Sequence, residues 1–181
     1  MSGVASNTPV GWLYKLDSSG AFVWSRSFST CYGGTVVIDS TYSYLYVTGA
    51  KTTPSAQYII KFDTSGTVQW QRTLTPASSS IQGPFGPPSV DSTFIYIAMT
   101  ASLGGSGYEY VVEKLPIDGS KTGTYTVAGT SMTYASSSIT IANGSDNTTN
   151  AAFSEGSGSL TTSTSSDSAT ATTNSAATTT L

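Results

Sequence analysis

Two residue pairs carry side chains whose chemistry depends on their spacing: Trp24 with Arg26, and Trp70 with Arg72. Residues two apart on a strand share a face, so each guanidinium can lie over its indole, a contact worth about 0.5–2 kcal/mol depending on desolvation. Such pairs serve either as rungs of a ligand-binding ladder or as a packing and hydrogen-bonding motif. Their recurrence forty-six positions apart favours the structural use. Lys15 and Lys61 recur with the same spacing, each two positions before an aspartate, Asp17 or Asp63. With Lys114 they read as surface or inter-repeat ion pairs, which are common and weak, and not as catalytic lysines.

Other chemistry is limited by what the chain lacks. With no His and only Cys31, Ser-His-Asp and Cys-His catalysis, a zinc cluster and an intrachain disulfide are all unavailable. The Asp-x-x-Gly segments at Asp17–Gly20 and Asp63–Gly66 supply one carboxylate each, short of the 6–8 oxygens calcium takes. A carboxylate pair assembled by the fold stays open as a catalytic device, but no local spacing brings two together. No enzyme activity, metal or cofactor is expected. Aromatics are the better lead to binding: Tyr42, Tyr44 and Tyr46 alternate along one segment, as do Phe94 and Tyr96. Most belong between sheets, and any left exposed would form a flat platform for a glycan or a protein.

These residues sit on recognisable elements. Leu13–Phe28 and Tyr58–Leu74 each read as two alternating strands joined by an Asp-x-x-Gly turn, a β-hairpin. In the second hairpin, alternation puts Tyr58, Ile60 and Phe62 on one face and Ile59 and Lys61 on the other. It also groups Val68, Trp70, Arg72 and Leu74. A third, partial copy begins at Tyr110: Lys114 and Gly119 keep their places, Pro116 stands where the Asp would be, and the Trp and Arg are missing. A second unit, Asp39–Thr48, returns as Asp91–Thr100. Hairpin and strand pair thus alternate with a period between the roughly 40–45 and roughly 50 residues of known propeller repeats.

The period predicts an all-β fold of repeated four-stranded antiparallel units. Ten candidate strands lie between residues 11 and 127, about two and a half propeller-like blades, too few for a ring that needs about four to eight. Three regions follow: a leader at 1–10, a β-repeat body at 11–128 and a Ser/Thr-rich arm at 129–181. All seven Lys and Arg lie at or before Lys121, so the net charge of −3 belongs to the arm. Its large apolar residues are few, too few to offset an ordering cost of about 1–2 kcal/mol per residue, so it is expected to be ordered by neighbouring subunits. No basic patch points to nucleic acid, and no apolar run of about 18 residues points to membrane insertion. No secretory signal is evident in the leader, which leaves the sequons at Asn143 and Asn147 with little meaning.

The motif Lys-[Leu/Phe]-Asp-[Ser/Thr]-Ser-Gly-x-x-x-Trp-x-Arg resembles the β-propeller-type repeats of bacterial surface proteins. So does the Asp-Ser-x-x-x-Tyr-[Leu/Ile]-Tyr-Val-Thr-Gly motif that follows it. The resemblance is nearest to virion structural proteins of marine and cyanobacterial tailed phages, whose repeats lead into a Thr/Ser/Ala-rich tail beginning much like Met132–Ser138. It spans about residues 11–140 and implies a non-enzymatic virion protein, foremost a tail or tail-fibre component that contacts the host surface or other virion subunits. Implied partners are further copies of the chain, as a homo-oligomer such as a trimer, other virion proteins, and a host glycan or protein. Competing readings are a capsid decoration protein and a bacterial cell-surface adhesin or carbohydrate-binding module. A quinone-dependent propeller enzyme is a third class, against which the length argues.

Overall fold

The computed structural model describes residues 10–52, 55–77, 81–84, 86–102, 107–127 and 129–143. The expected leader up to Pro9 and the arm from residue 144 onward lie outside the described residues. Thirteen strands and no helix occur among those described. They are β1 (Val10–Leu16), β2 (Phe22–Ser29), β3 (Cys31–Ile38), β4 (Tyr44–Lys51), β5 (Ala56–Asp63), β6 (Val68–Pro76), β7 (Ile81–Pro84), β8 (Ser89–Val90), β9 (Phe94–Ala101), β10 (Glu109–Pro116), β11 (Gly123–Val127), β12 (Thr130–Ser136) and β13 (Ile141–Asn143). They form three antiparallel sheets, ordered β1-β2-β13, β11-β12-β6-β5-β4-β3 and β10-β9-β7, with β8 also on β9. No barrel closes among them.

The six-stranded sheet is the middle layer. The alternation of β5 decides which side chain meets which neighbour: Tyr58, Ile60 and Phe62 pack with Leu13 and Phe28 of the first sheet, whereas Ile59 joins Ile95, Ile97 and Met99 of the third. Tyr46 and Val47 of β4 divide in the same way. Each face of the layer therefore builds its own core, as expected for a strand pleated with period two.

Both complete hairpins close on the same turn. The Asp17 carboxylate accepts hydrogen bonds from the Ser19 and Ala21 amides, both at 2.9 Å. Asp63 does the same for Ser65 and Thr67, at 2.9 and 3.0 Å. Gly20 and Gly66 sit at φ of +80°, the left-handed region that favours glycine. Bonds from the Ser hydroxyl and then the turn amides hold both carboxyls below their ordinary pKa. Beside each turn the register shifts, between Lys15 and Leu16 and between Lys61 and Phe62, with Val23 and Gln69 as the extra residues past the turns. The resulting bulge overturns one expected grouping: Val68 faces the first-sheet core while Trp70 and Leu74 face the third-sheet side. A bulge adds one residue, so alternation counted through it changes face.

The third copy does not form a hairpin. Its turn survives, with the Gly119 amide bonded to the Pro116 carbonyl at 3.0 Å and Gly119 at φ +71°. In the complete hairpins, however, the Asp17 and Asp63 amides donate to Ala21 and Thr67 carbonyls across the turn. Pro116 has no N–H to make that bond. The chain instead leaves β10, and β11 pairs with β12 at the far edge of the middle sheet.

From there the chain runs back over the repeats. β12 pairs with β6, Met132 opposite Pro76 and Ser136 opposite Arg72, and β13 pairs with β2, Ile141 opposite Phe28. Between them the Ser137 amide bonds the Gln71 carbonyl, and the Ser29 amide bonds the Thr140 carbonyl. The body thus continues through residue 143, past the compositional boundary at 129. Met132, Tyr134 and Ile139 are buried in the two cores. Sparse apolar residues suffice there because the strands lean on cores that other segments have already built.

Candidate functional site

The recurring residues meet where one repeat touches the next. Lys15 and Trp24 are opposite each other in the first hairpin, and the bulge aims the indole at the second hairpin's turn. Trp24 Nε1 donates to the Thr64 carbonyl at 3.2 Å and Lys15 Nζ to the same oxygen at 2.7 Å. Arg26 Nε donates to the Gly66 carbonyl at 2.8 Å, and its Nη1 to the Ser25 carbonyl at 2.8 Å. The Arg26 Cζ lies 5.2 Å from the centre of the Trp24 ring. A Cβ on Gly66 would come within 2.9–3.0 Å of the Trp24 ring and the Arg26 guanidinium, so the turn is gripped too closely for a larger residue.

The second hairpin repeats the grip on the third turn. Arg72 Nε donates to the Gly119 carbonyl at 2.7 Å and Nη1 to the Gln71 carbonyl at 2.9 Å, with Cζ 5.7 Å from the Trp70 ring centre. A Cβ on Gly119 would meet the Trp70 ring at 2.9 Å. One contact is not reproduced: Trp70 Nε1 has no hydrogen-bond partner. Gly66 and Gly119 are buried under their clamps, whereas Gly20 is exposed, with no atom within 4 Å of where its Cβ would stand.

Among the described residues the lysines form no ion pair with Asp17 or Asp63: the Lys15 ammonium goes to the Thr64 carbonyl, and those of Lys61 and Lys114 lie over aromatic rings. Lys61 lies opposite Tyr46 and places Nζ 3.8 Å from the Tyr44 ring centre and 5.4 Å from that of Tyr46. Lys114 lies opposite Tyr96 and places Nζ 4.0 Å from the Phe94 ring and 5.8 Å from that of Tyr96. Burial lowers the Lys61 pKa against the opposing pull of Asp39 and Asp118. The candidate platform is thereby divided. Tyr46 is fully buried, Tyr44, Phe94 and Tyr96 are half-buried beside lysines, and only Tyr42, in a turn at φ +56°, is widely exposed at 73 %.

A second feature escaped sequence reasoning. Between β10 and the β11–β12 pair lies a cavity of about 300 Å³, lined chiefly by Val111, Leu115, Tyr125, Met132 and Tyr134. Glu113 projects into it, buried, with neither carboxylate oxygen hydrogen-bonded, and the Tyr134 hydroxyl is likewise without a partner. Burial pushes the Glu113 pKa up to about 8, so the acid is mostly neutral at pH 7. The signal was present in the repeat: Glu113 immediately precedes Lys114, where the second hairpin has Ile60 before Lys61.

Among the described residues no three His, Cys, Asp or Glu side chains gather in a way that would hold a metal ion. The geometry is that of a clamp: Lys15, Arg26 and the Trp24 indole N–H of the first hairpin, and Arg72 of the second, satisfy carbonyls of the next repeat's turn. Comparison with protein-family models, with curated proteins and with solved structures found no match to this chain.

Proposed function

We propose that the chain is a non-enzymatic structural protein of a tailed-phage particle, a tail or tail-fibre component whose repeats join other subunits or meet the host surface. The observation that carries this reading is the clamp, in which Trp24 and Arg26 hold the 63–66 turn and Arg72 holds Gly119. Chemistry usually spent on a ligand is used here to lock one repeat onto the next, as in a part built for stacking. On this reading β3–β6 are one whole propeller-like blade, flanked by β1–β2 and β7–β10 as portions of two more. The sequence resemblance to virion repeats supplies the particle.

Mass spectrometry of density-purified particles, followed by immunogold electron microscopy with antibodies to this chain, tests the proposal. Label on the tail or its fibres is expected. Label on the capsid would move the chain to decoration, and particles free of it would overturn the reading.

A further inference from the structure

We infer that the face of the first hairpin on which Trp12, Leu16 and Phe22 are exposed, with its Asp17–Gly20 turn, is a docking site for a Trp-x-Arg β-hairpin carried by a different polypeptide. The internal interface shows what such a face requires. In the second hairpin, Tyr58, Ile60 and Phe62 lie beneath the first sheet, with Tyr58 and Phe62 exposed by 1 % and 0 %. Forty-six positions earlier the same places hold Trp12, Tyr14 and Leu16, and there Trp12 is exposed by 39 % and Leu16 by 53 %. Phe22, which stands where Val68 does, is exposed as well. One exposed Leu would be ordinary, but a row of large apolar side chains along one hairpin is not.

The turn beside this row is also a ready acceptor. The 17–20 turn has the same internal hydrogen bonds and the same glycine φ as the 63–66 turn. The Ser18 and Gly20 carbonyls correspond to those of Thr64 and Gly66, which take the Trp24, Lys15 and Arg26 donors. Charge agrees: Arg26 helps hold the Asp63 carboxyl in its ionised form, and Asp17 offers the same carboxylate to an incoming cation.

The internal interface also specifies the occupant. It must present a Trp-x-Arg pair, a lysine reaching the turn, and apolar side chains in the places of Leu13 and Phe28. A second copy of this chain does not qualify, because both of its pairs are engaged within the chain and the third repeat has Gly123 and Tyr125 where Trp and Arg would stand. The proposed partner is another protein with a repeat of this kind, wherever this chain is located.

Two probes test the inference on the full chain. The first is a hairpin peptide with the sequence of Leu13–Phe28, closed by a disulfide between added terminal cysteines. It is titrated into isotope-labelled chain and followed by NMR. Expected are saturable shifts at residues 12–22, with affinity at least about tenfold weaker when the peptide's arginine is alanine or when the chain carries W12S or L16D. The second is a chain with residues 10–55 repeated in phase ahead of Val10. It should melt several degrees above the parent, and alanine at the added Trp and Arg should abolish the gain. A peptide that binds elsewhere or indifferently to these variants overturns the inference, as does a lengthened chain melting at or below the parent. Self-association of the parent that W12S abolishes would give the face to a second copy and overturn it too. None of these outcomes depends on particle labelling, so the two readings fail separately.

Discussion

Arg26 and Gly66, forty positions apart, are joined by a 2.8 Å hydrogen bond from the guanidinium Nε to the glycine carbonyl. The bond exists because a bulge turns the strand that carries Arg26, and a left-handed glycine presents its carbonyl outward. Arg72 and Gly119 repeat it at 2.7 Å.

Replacing either arginine with alanine should therefore destabilise the body by about 1.5–3 kcal/mol, the usual worth of a hydrogen bond to a charged group. Lysine should recover little, since it lacks the planar fork that bonds Gly66 and Ser25 together. Urea unfolding of R26A, R26K, R72A and R72K measures this.

Gly20 and Gly66 separate backbone strain from clamping. Both have φ of +80°, so alanine at either should cost about 1–2 kcal/mol for the left-handed conformation. Only at Gly66 does the new Cβ also collide with Trp24 and Arg26. G66A should lose clearly more than G20A in the same denaturation experiment, and equal losses would mean that the turn is not gripped.

Glu113 makes stability depend on pH. Its folded pKa, near 8, is raised above the ordinary 4.5, so the folded state holds a proton the unfolded state releases. The stability this group permits is full below about 4.5 and declines as pH rises towards 8. E113I, which installs the second repeat's residue, should flatten that slope and add about 1–3 kcal/mol at pH 8 by removing an unsatisfied buried group. Thermal melts of both proteins from pH 4 to 9 check it.

Ending the chain after residue 128 should lower the melting midpoint by more than about 10 °C, because Met132, Tyr134 and Ile139 leave their cores and β6 loses its neighbour. Ending it after residue 148 keeps every described strand and should leave a cooperative transition near that of the full chain. Calorimetry of the two truncations distinguishes a body that ends at 128 from one that runs to 143.

The sequence alone was enough for the β class, both complete hairpins, their Asp-x-x-Gly turns and the cation–π pairing of Trp with Arg. Those features depend on neighbours within a few positions, and period-two alternation with turn chemistry encodes them directly. Tertiary structure decided what the repeated residues hold. The bond from Arg26 to Gly66 joins residues whose relation is set by how two sheets stack, and no local pattern states it. It also decided that Pro116 sends β11 away from β10, that the Ser/Thr-rich 130–143 stretch pairs alongside β6 and then β2, and that Glu113 ends in an apolar cavity. Each depends on the free energy of a distant surface: a short strand orders when an edge and a core already exist to receive it, and a carboxyl is stranded when the layer above it closes.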